Sequence, residues 1–226
     1  MLERFGPVIG GLVVMTLLVV WLGDPDDDVP AEPPSVGGQE AVDEFLAAYE
    51  RSWMVEAVVV SETQRTMADG RELAYEQRLV QRPPDDRLVI GAGSASGRVD
   101  GQTVRCTTVD DDPVPQCADG GEAPDYEASV DQQLDTLAEL VEPGVGMYTL
   151  TSSEDGCFHL ELRLRVLTPP YGIESTFCFD EEVGVLRDVE VVRPEATDRT
   201  TATEIRTTVT EADLRATDLG DPLSTE

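Results

Sequence analysis

The sequence has no lysine, no asparagine and only one histidine, and these absences narrow its function. All 16 basic side chains are arginine, against 46 aspartates and glutamates, so the formal net charge is -30. A surface this acidic repels the phosphates of nucleic acids and of anionic lipid headgroups. Nucleic acid is therefore excluded as a partner.

No group of residues in the sequence has the pattern of a catalytic site. His159 lies in the middle of a predicted strand, on the face shared with Glu161 and Arg163, so we expect a surface histidine. The glycine-rich stretch 91–97 (GAGSASG) matches neither a phosphate loop nor a nucleophile elbow, because Ser96 replaces the required glycine and no helix follows. We interpret it as a flexible connection between strands, and we predict no enzyme activity and no cofactor.

Cysteine is scarce too, with residues at positions 106, 117, 157 and 178. Four cysteines allow three disulfide connectivities, and the sequence alone does not choose among them. Sequential pairing of Cys106 with Cys117 and of Cys157 with Cys178 is our first choice, because the first pair brackets a short loop and the second lies on consecutive predicted strands. Zinc is the competing interpretation, but no CxxC spacing supports it. Three successive aspartates at 110–112 lack the alternate spacing of a calcium loop, so we predict no metal site.

One uncharged run, residues 6–23, predicts a membrane anchor. At about 1.5 Å per residue, a helix of this length crosses most of the ~30 Å hydrocarbon layer. Arg4 precedes the run and four aspartates follow it within residues 24–28, which predicts residues 1–5 in the cytoplasm and the main domain outside. A cleaved signal peptide is the alternative, although its small-residue cleavage pattern is missing. The predicted location is the cell membrane, crossed once.

Beyond the anchor the sequence predicts an acidic linker at 24–38, rich in proline and glycine, then one domain at 39–212 and a flexible acidic tail at 213–226. Apolar residues at helical spacing predict a first helix at 40–51, with its apolar face on Val42, Phe45, Leu46 and Tyr49. The same spacing predicts a second helix at 126–141, capped by Asp125 and ended by Pro143-Gly144.

Short segments rich in valine and threonine, separated by turn signals, predict nine strands. In the clearest one, 157–167, polar residues share one face, as in a half-buried antiparallel strand, and the other face carries Phe158, Leu160, Leu162, Leu164 and Val166. Cys157 and Cys178 fall on the polar faces, so a disulfide between them would lie on the outside of the sheet. The predicted strands are 57–66, 72–82, 87–91, 102–108, 147–152, 157–167, 173–180, 184–193 and 200–209.

The order of these elements resembles the LolA-like lipoprotein-carrier fold, and in particular the actinobacterial lipoproteins of the LppX and LprG type. The best-matching stretches are RPPDDRLVI (82–90), RVDGQTV (98–104) and STFCFDEEVGVLRDVEV (175–191). The resemblance implies an α+β fold in which a strongly curved antiparallel sheet forms a half-open β-barrel, and helices cover a hydrophobic cavity. The relatives are lipid-anchored through an N-terminal cysteine, whereas this chain has an apolar segment in that place.

Together with the predicted anchor, this resemblance implies a membrane-tethered extracytoplasmic protein that holds a lipid or acylated ligand in the concavity of the sheet. The alternative is an envelope sensor or protein-interaction domain with a filled core, which acts through a membrane protein partner. The sequence does not distinguish a lined cavity from a packed one. The candidate lining residues are Leu88, Ile90, Phe158, Leu160, Leu162, Phe177 and Phe179.

Overall fold

The computed structural model describes residues 38–91, 93–109, 112–153, 155–164, 166 and 168–215. The chain divides into two compact units, Met1–Pro33 and Pro34–Glu226, and all described residues belong to the second. Neither helix among the described residues is long and apolar enough to cross a membrane. The anchor predicted at 6–23 and all but the end of the predicted linker lie outside the described residues.

Two helices pack on the same face of a β-sheet. Helix α1 spans Gln39–Met54 and helix α2 spans Tyr126–Val141. The predicted cap of α2 is confirmed, because the Asp125 carboxylate accepts a hydrogen bond from the Ala128 amide at 2.9 Å. The predicted apolar faces are confirmed as well, since Val42 and Phe45 of α1 are buried and the stripe on α2 points into the same core.

In the part of the chain that the structure describes, eleven strands form one open, curved antiparallel sheet. Strands β1–β6 pair in chain order before α2, strands β7–β11 pair in chain order after it, and β1 pairs with β11 to join the two halves. The sheet order is therefore β6-β5-β4-β3-β2-β1-β11-β10-β9-β8-β7. The strands are β1 Ala57–Met67, β2 Glu72–Arg82, β3 Asp86–Gly91, β4 Ser94–Val99, β5 Gln102–Val109, β6 Asp112–Glu122, β7 Tyr148–Ser152, β8 Cys157–Leu162, β9 Glu174–Phe179, β10 Leu186–Val192 and β11 Ala196–Arg206.

The helices cover one face of this sheet, and Gln81 on β2 identifies it. The Gln81 amide nitrogen donates to the carbonyls of Ser52 (2.7 Å) and Val55 (2.8 Å), at the C-terminal end of α1. Side chains alternate between faces along a strand, so Gln81 faces the helices and Val80 faces away from them. We call these the helix face and the outer face.

Hydrophobic residues are buried on both faces. On the helix face, the side chains of β7–β10 pack against α1 and α2 in the largest cluster. On the outer face, Val58, Val80 and Leu88 are in register across β1, β2 and β3 and are fully buried. Val209 and Leu214, which follow β11, pack against this second cluster.

The structure corrects two predicted connections and one boundary. The stretch 91–97 contains the start of strand β4, although its small residues suggested a loop. Cys106 and Cys117 face each other across β5 and β6 instead of bracketing a loop. Asp213 and Leu214 are buried in the domain, so the predicted flexible tail does not begin at 213.

Candidate functional site

An apolar surface on the helix face of β8 and β9 forms the floor beneath α1. Phe158, Leu160, Phe177 and Phe179 are all buried, and Leu162 packs beside them partly exposed. We call these five side chains the aromatic floor. They come together because Phe158 pairs with Phe177 across the two strands, so alternate residues of both strands point the same way.

Helix α1 closes the aromatic floor with Phe45, which is 0% exposed. The ring centroid of Phe45 lies 5.1 Å from that of Phe158 and 5.7 Å from that of Phe177, at tilted angles that favour aromatic contact. The space above the floor is therefore filled by this side chain in the structure. From Phe45 an aromatic row continues along α1 through Tyr49 and Trp53, with centroid separations of 6.2 and 6.4 Å.

Five of the seven predicted lining residues meet on the helix face, and two do not. Leu88 pairs with Val80 on the outer face, and Ile90 lies two residues further along the same strand. Both belong to the outer-face cluster, so grouping them with the floor was wrong. Strand β3 carries apolar residues on both faces, Leu88 and Ile90 on one and Val89 on the other, so its sequence does not reveal which face points to the helices. The ligand role of the five floor residues stays a prediction.

The floor also contains buried polar groups. Ser175 is 1% exposed and pairs with Leu160, yet its hydroxyl has no hydrogen-bond partner among the described residues. A hydroxyl buried without a partner is costly, so such a group often marks a ligand or water site. The Tyr171 ring lies edge-on to Phe177 with centroids 5.6 Å apart, and burial raises the pKa of its phenol to about 12.

At the C-terminal end of α1 the site becomes positively charged. The Arg87 guanidinium lies over the Trp53 ring at 3.7 Å, and the Arg98 guanidinium lies over the Tyr126 ring at 5.2 Å. The Tyr126 hydroxyl donates to the Trp53 carbonyl at 2.6 Å and so joins the start of α2 to the end of α1. Sequence reasoning missed these arginines; the available signal was one arginine at the start of a predicted strand and another at the start of the stretch 98–104, in a strongly acidic chain.

The outer face carries the predicted disulfide between Cys157 and Cys178. Both sequential disulfides are present, and each joins residues directly opposite each other on neighbouring strands. Cys178 is nonetheless buried. Next to it lies a cavity of about 230 Å³, lined by Thr176, Cys178, Asp188, Val189, Glu190 and Arg199.

The remaining candidate for chemistry, His159, is exposed on the outer face. One ring nitrogen, Nδ1, lies 3.2 Å from the Thr176 hydroxyl. Within the described residues no three histidine, cysteine or acidic side chains are grouped as metal ligands.

No protein-family model matches the sequence, and no curated protein matches it. Among solved structures, the chain is similar to a LolA superfamily protein from Nitrosomonas europaea, with 8% identity over 79% of this chain and 96% of that one and a TM-score of 0.32. The Mycobacterium tuberculosis lipoprotein LppX matches at 9% identity over 77% and 99%, with a TM-score of 0.40. A Pseudomonas aeruginosa MucA/MucB complex matches at 15% identity over 78% and 61%, with a TM-score of 0.45. These matches agree with the LolA-like resemblance of the sequence, and they carry no argument about a ligand or a partner.

Proposed function

We propose that this chain is a membrane-tethered extracytoplasmic binding protein whose hydrophobic ligand occupies the aromatic floor when α1 moves aside. The observation that carries the proposal is that one side chain, Phe45, covers the floor. Four buried apolar side chains from β8 and β9 are covered by Phe45 of a single helix. An acyl chain offers the same kind of contact to this floor that Phe45 offers in the structure.

The position of α1 in the fold supports this exchange. It is the first described element and lies outside the strand order, so its displacement breaks no strand pairing. The connection from α1 to β1 is short, because the helix ends at Met54 and the strand begins at Ala57. A hinge at this point would lift the Phe45 end of the helix and leave the Trp53 end in place.

A protein-interaction domain is the second candidate, and the filled space over the floor favours it. Phe45 is fully buried against the floor, so in this candidate the floor stays covered and binding uses the exterior of the domain. A membrane protein partner would then carry the signal inward. The two candidates differ in whether the floor ever accepts a ligand.

Uptake of a neutral apolar probe by the compact unit 34–226 separates these candidates. The unit, with both disulfides formed, is incubated with a fluorescent fatty alcohol, whose lack of charge makes binding report on the floor alone. A lipid-binding protein gives saturable uptake near one probe per chain. A protein-interaction domain with a permanently filled core gives no saturable uptake.

The substitution Phe45→Ala sharpens this test, because it opens space above the floor without touching β8 or β9. We expect it to increase probe affinity several-fold. Val145→Ala is the matched control, since Val145 is 68% exposed and lies in the connection between α2 and β7, outside the floor strands. Equal probe binding by the wild type and both variants would place the probe elsewhere and contradict the proposal.

A further inference from the structure

Arg87 and Arg98 have no carboxylate partner among the described residues, and they differ from the other arginines that lack one there because each lies over an aromatic ring. Six other arginines form ion pairs with aspartate or glutamate in the same part of the chain: Arg65, Arg71, Arg82, Arg187, Arg193 and Arg206. The feature that calls for a physical reason is that these two unpaired arginines lie side by side on neighbouring strands.

The two arginines are also direct cross-strand neighbours. Arg87 on β3 pairs in register with Arg98 on β4, and Arg87 pairs on its other side with Gln81 of the helix face. Like charges directly opposite each other destabilise a sheet. An anion between the two guanidinium groups would convert this repulsion into attraction, since each group presents several N–H donors in a planar fork.

The donors of Arg87 are unused. Its Nε is buried without a hydrogen-bond partner, and its terminal nitrogens also make no hydrogen bond within the described residues. Burial lowers the pKa of the Arg87 guanidinium, because no nearby carboxylate compensates for its lost hydration. Arg98 donates only to the neutral carbonyls of Asp85 (3.3 Å) and Pro124 (2.9 Å), so its charge is also not neutralised.

We propose that Arg87 and Arg98, held by the Trp53 and Tyr126 rings, form a binding site for a carboxylate or phosphate group. The rings fix the two guanidinium planes by cation–π contact and so orient the forks before the anion arrives. The site lies at the end of the aromatic row Phe45–Tyr49–Trp53, whose other end covers the floor. An amphiphile would place its acidic head at the arginines and its chain along α1; this part of the inference rests on the proposed function.

Fluorescence of Trp53 in the full chain tests the anion site, because the Arg87 guanidinium lies directly over the indole. The chain is held in uncharged detergent, and Trp21→Phe removes the second tryptophan. Inorganic phosphate and water-soluble dihexanoyl phosphatidate are titrated separately at constant ionic strength, with zwitterionic dihexanoyl phosphatidylcholine as the control lipid. We expect a saturable change with phosphatidate. A matching response to phosphate assigns the site to free anions, and a response to phosphatidate alone assigns it to a lipid headgroup.

Substitutions at the site show whether the response belongs to these arginines. Arg87→Gln and Arg98→Gln are each expected to weaken anion binding at least tenfold. Arg87→Lys keeps the charge but not the planar fork of N–H donors, so it should lose less affinity than Arg87→Gln. Arg71→Gln is the matched control, because Arg71 is exposed and pairs only with Asp69. Circular dichroism of each variant checks that it folds.

If the wild type shows no saturable fluorescence change with either anion, the inference is wrong. It is also wrong if Arg71→Gln weakens anion binding as much as Arg87→Gln and Arg98→Gln do. Failure of the anion site can be distinguished from failure of the proposed function. The neutral probe has no charge for the arginines to bind, so its uptake tests only the floor. Phosphate has no apolar chain, so its binding tests only the arginines.

Discussion

Phe45 is the residue on which the closed form of the domain depends. It contacts three rings of β8 and β9 and has no exposed surface. Its place in the core was predictable from the sequence, because it shares the apolar face of α1 with Val42. The arginines were not predictable in the same way, because their lack of an acidic partner becomes visible only when the register of β3 and β4 is known.

Replacing Phe45 by alanine should destabilise the compact unit by about 3–5 kcal/mol, the usual range when a fully buried phenylalanine is truncated. Urea unfolding followed by circular dichroism measures the change. Leu73→Ala is the control, since Leu73 is 44% exposed and should lose less than about 1 kcal/mol. If Phe45→Ala lowers the free energy of unfolding no more than the control does, Phe45 does not hold the helix to the floor.

Asp198 should make stability depend on pH. Its carboxylate accepts hydrogen bonds from Arg65 (2.8 Å) and Arg193 (2.6 Å), and the Arg65 hydrogen bond is the main reason its pKa is lowered. A carboxyl whose pKa is lower in the folded state stabilises the fold above its unfolded pKa, about 3.9, and loses that contribution as the pH falls through the folded pKa.

We therefore expect Asp198→Asn to destabilise the unit by about 1–2 kcal/mol at neutral pH. The difference from wild type should shrink as the pH is lowered below about 4. Measuring the difference cancels the relief of charge repulsion that acid brings to the whole chain. Asp43→Asn, at an exposed position on α1, should show almost no difference at either pH. A wild-type advantage that persists undiminished in acid would contradict this account.

At the level of elements, the sequence predicted both helices and most strands because their apolar periodicity is strong. Helix α2 has the predicted bounds, and strands β1 and β2 agree with the prediction to within a residue. The sequence did not reveal β4 and β6. The first is rich in small residues and the second in proline and acid, so neither has the alternating apolar pattern that marks a half-buried strand.

The two disulfides should stabilise the domain to a similar extent. Their sequence separations are 11 and 21 residues, and loop-closure entropy predicts about 3 kcal/mol for loops of this size. Doubling a loop adds only about 0.6 kcal/mol, so the Cys157–Cys178 bond should contribute slightly more. Unfolding of the two double alanine variants tests this. Free thiols at all four cysteines in the exported wild-type protein would contradict both pairings.

At the scale of the whole molecule, the net charge of -30 works against compaction. Added salt screens repulsion between surface charges, so sodium chloride should raise the Tm by several degrees between low ionic strength and about 0.5 M. A neutral osmolyte at equal osmolality is the control for general solvent effects. A Tm that is independent of salt, or that falls with it, would show that self-repulsion does not limit the stability of this chain.

Native mass spectrometry would show whether the aromatic floor accepts a hydrophobic ligand. The unit 34–226 would be purified with its disulfides formed. Its intact mass would be compared with the mass calculated from the sequence, and any lipids would be extracted and identified. We expect a bound species of defined mass, or stoichiometric uptake of added fatty alcohol that Phe45→Ala strengthens. A ligand-free mass, together with no uptake by either protein, would show that the floor is simply the core of the domain.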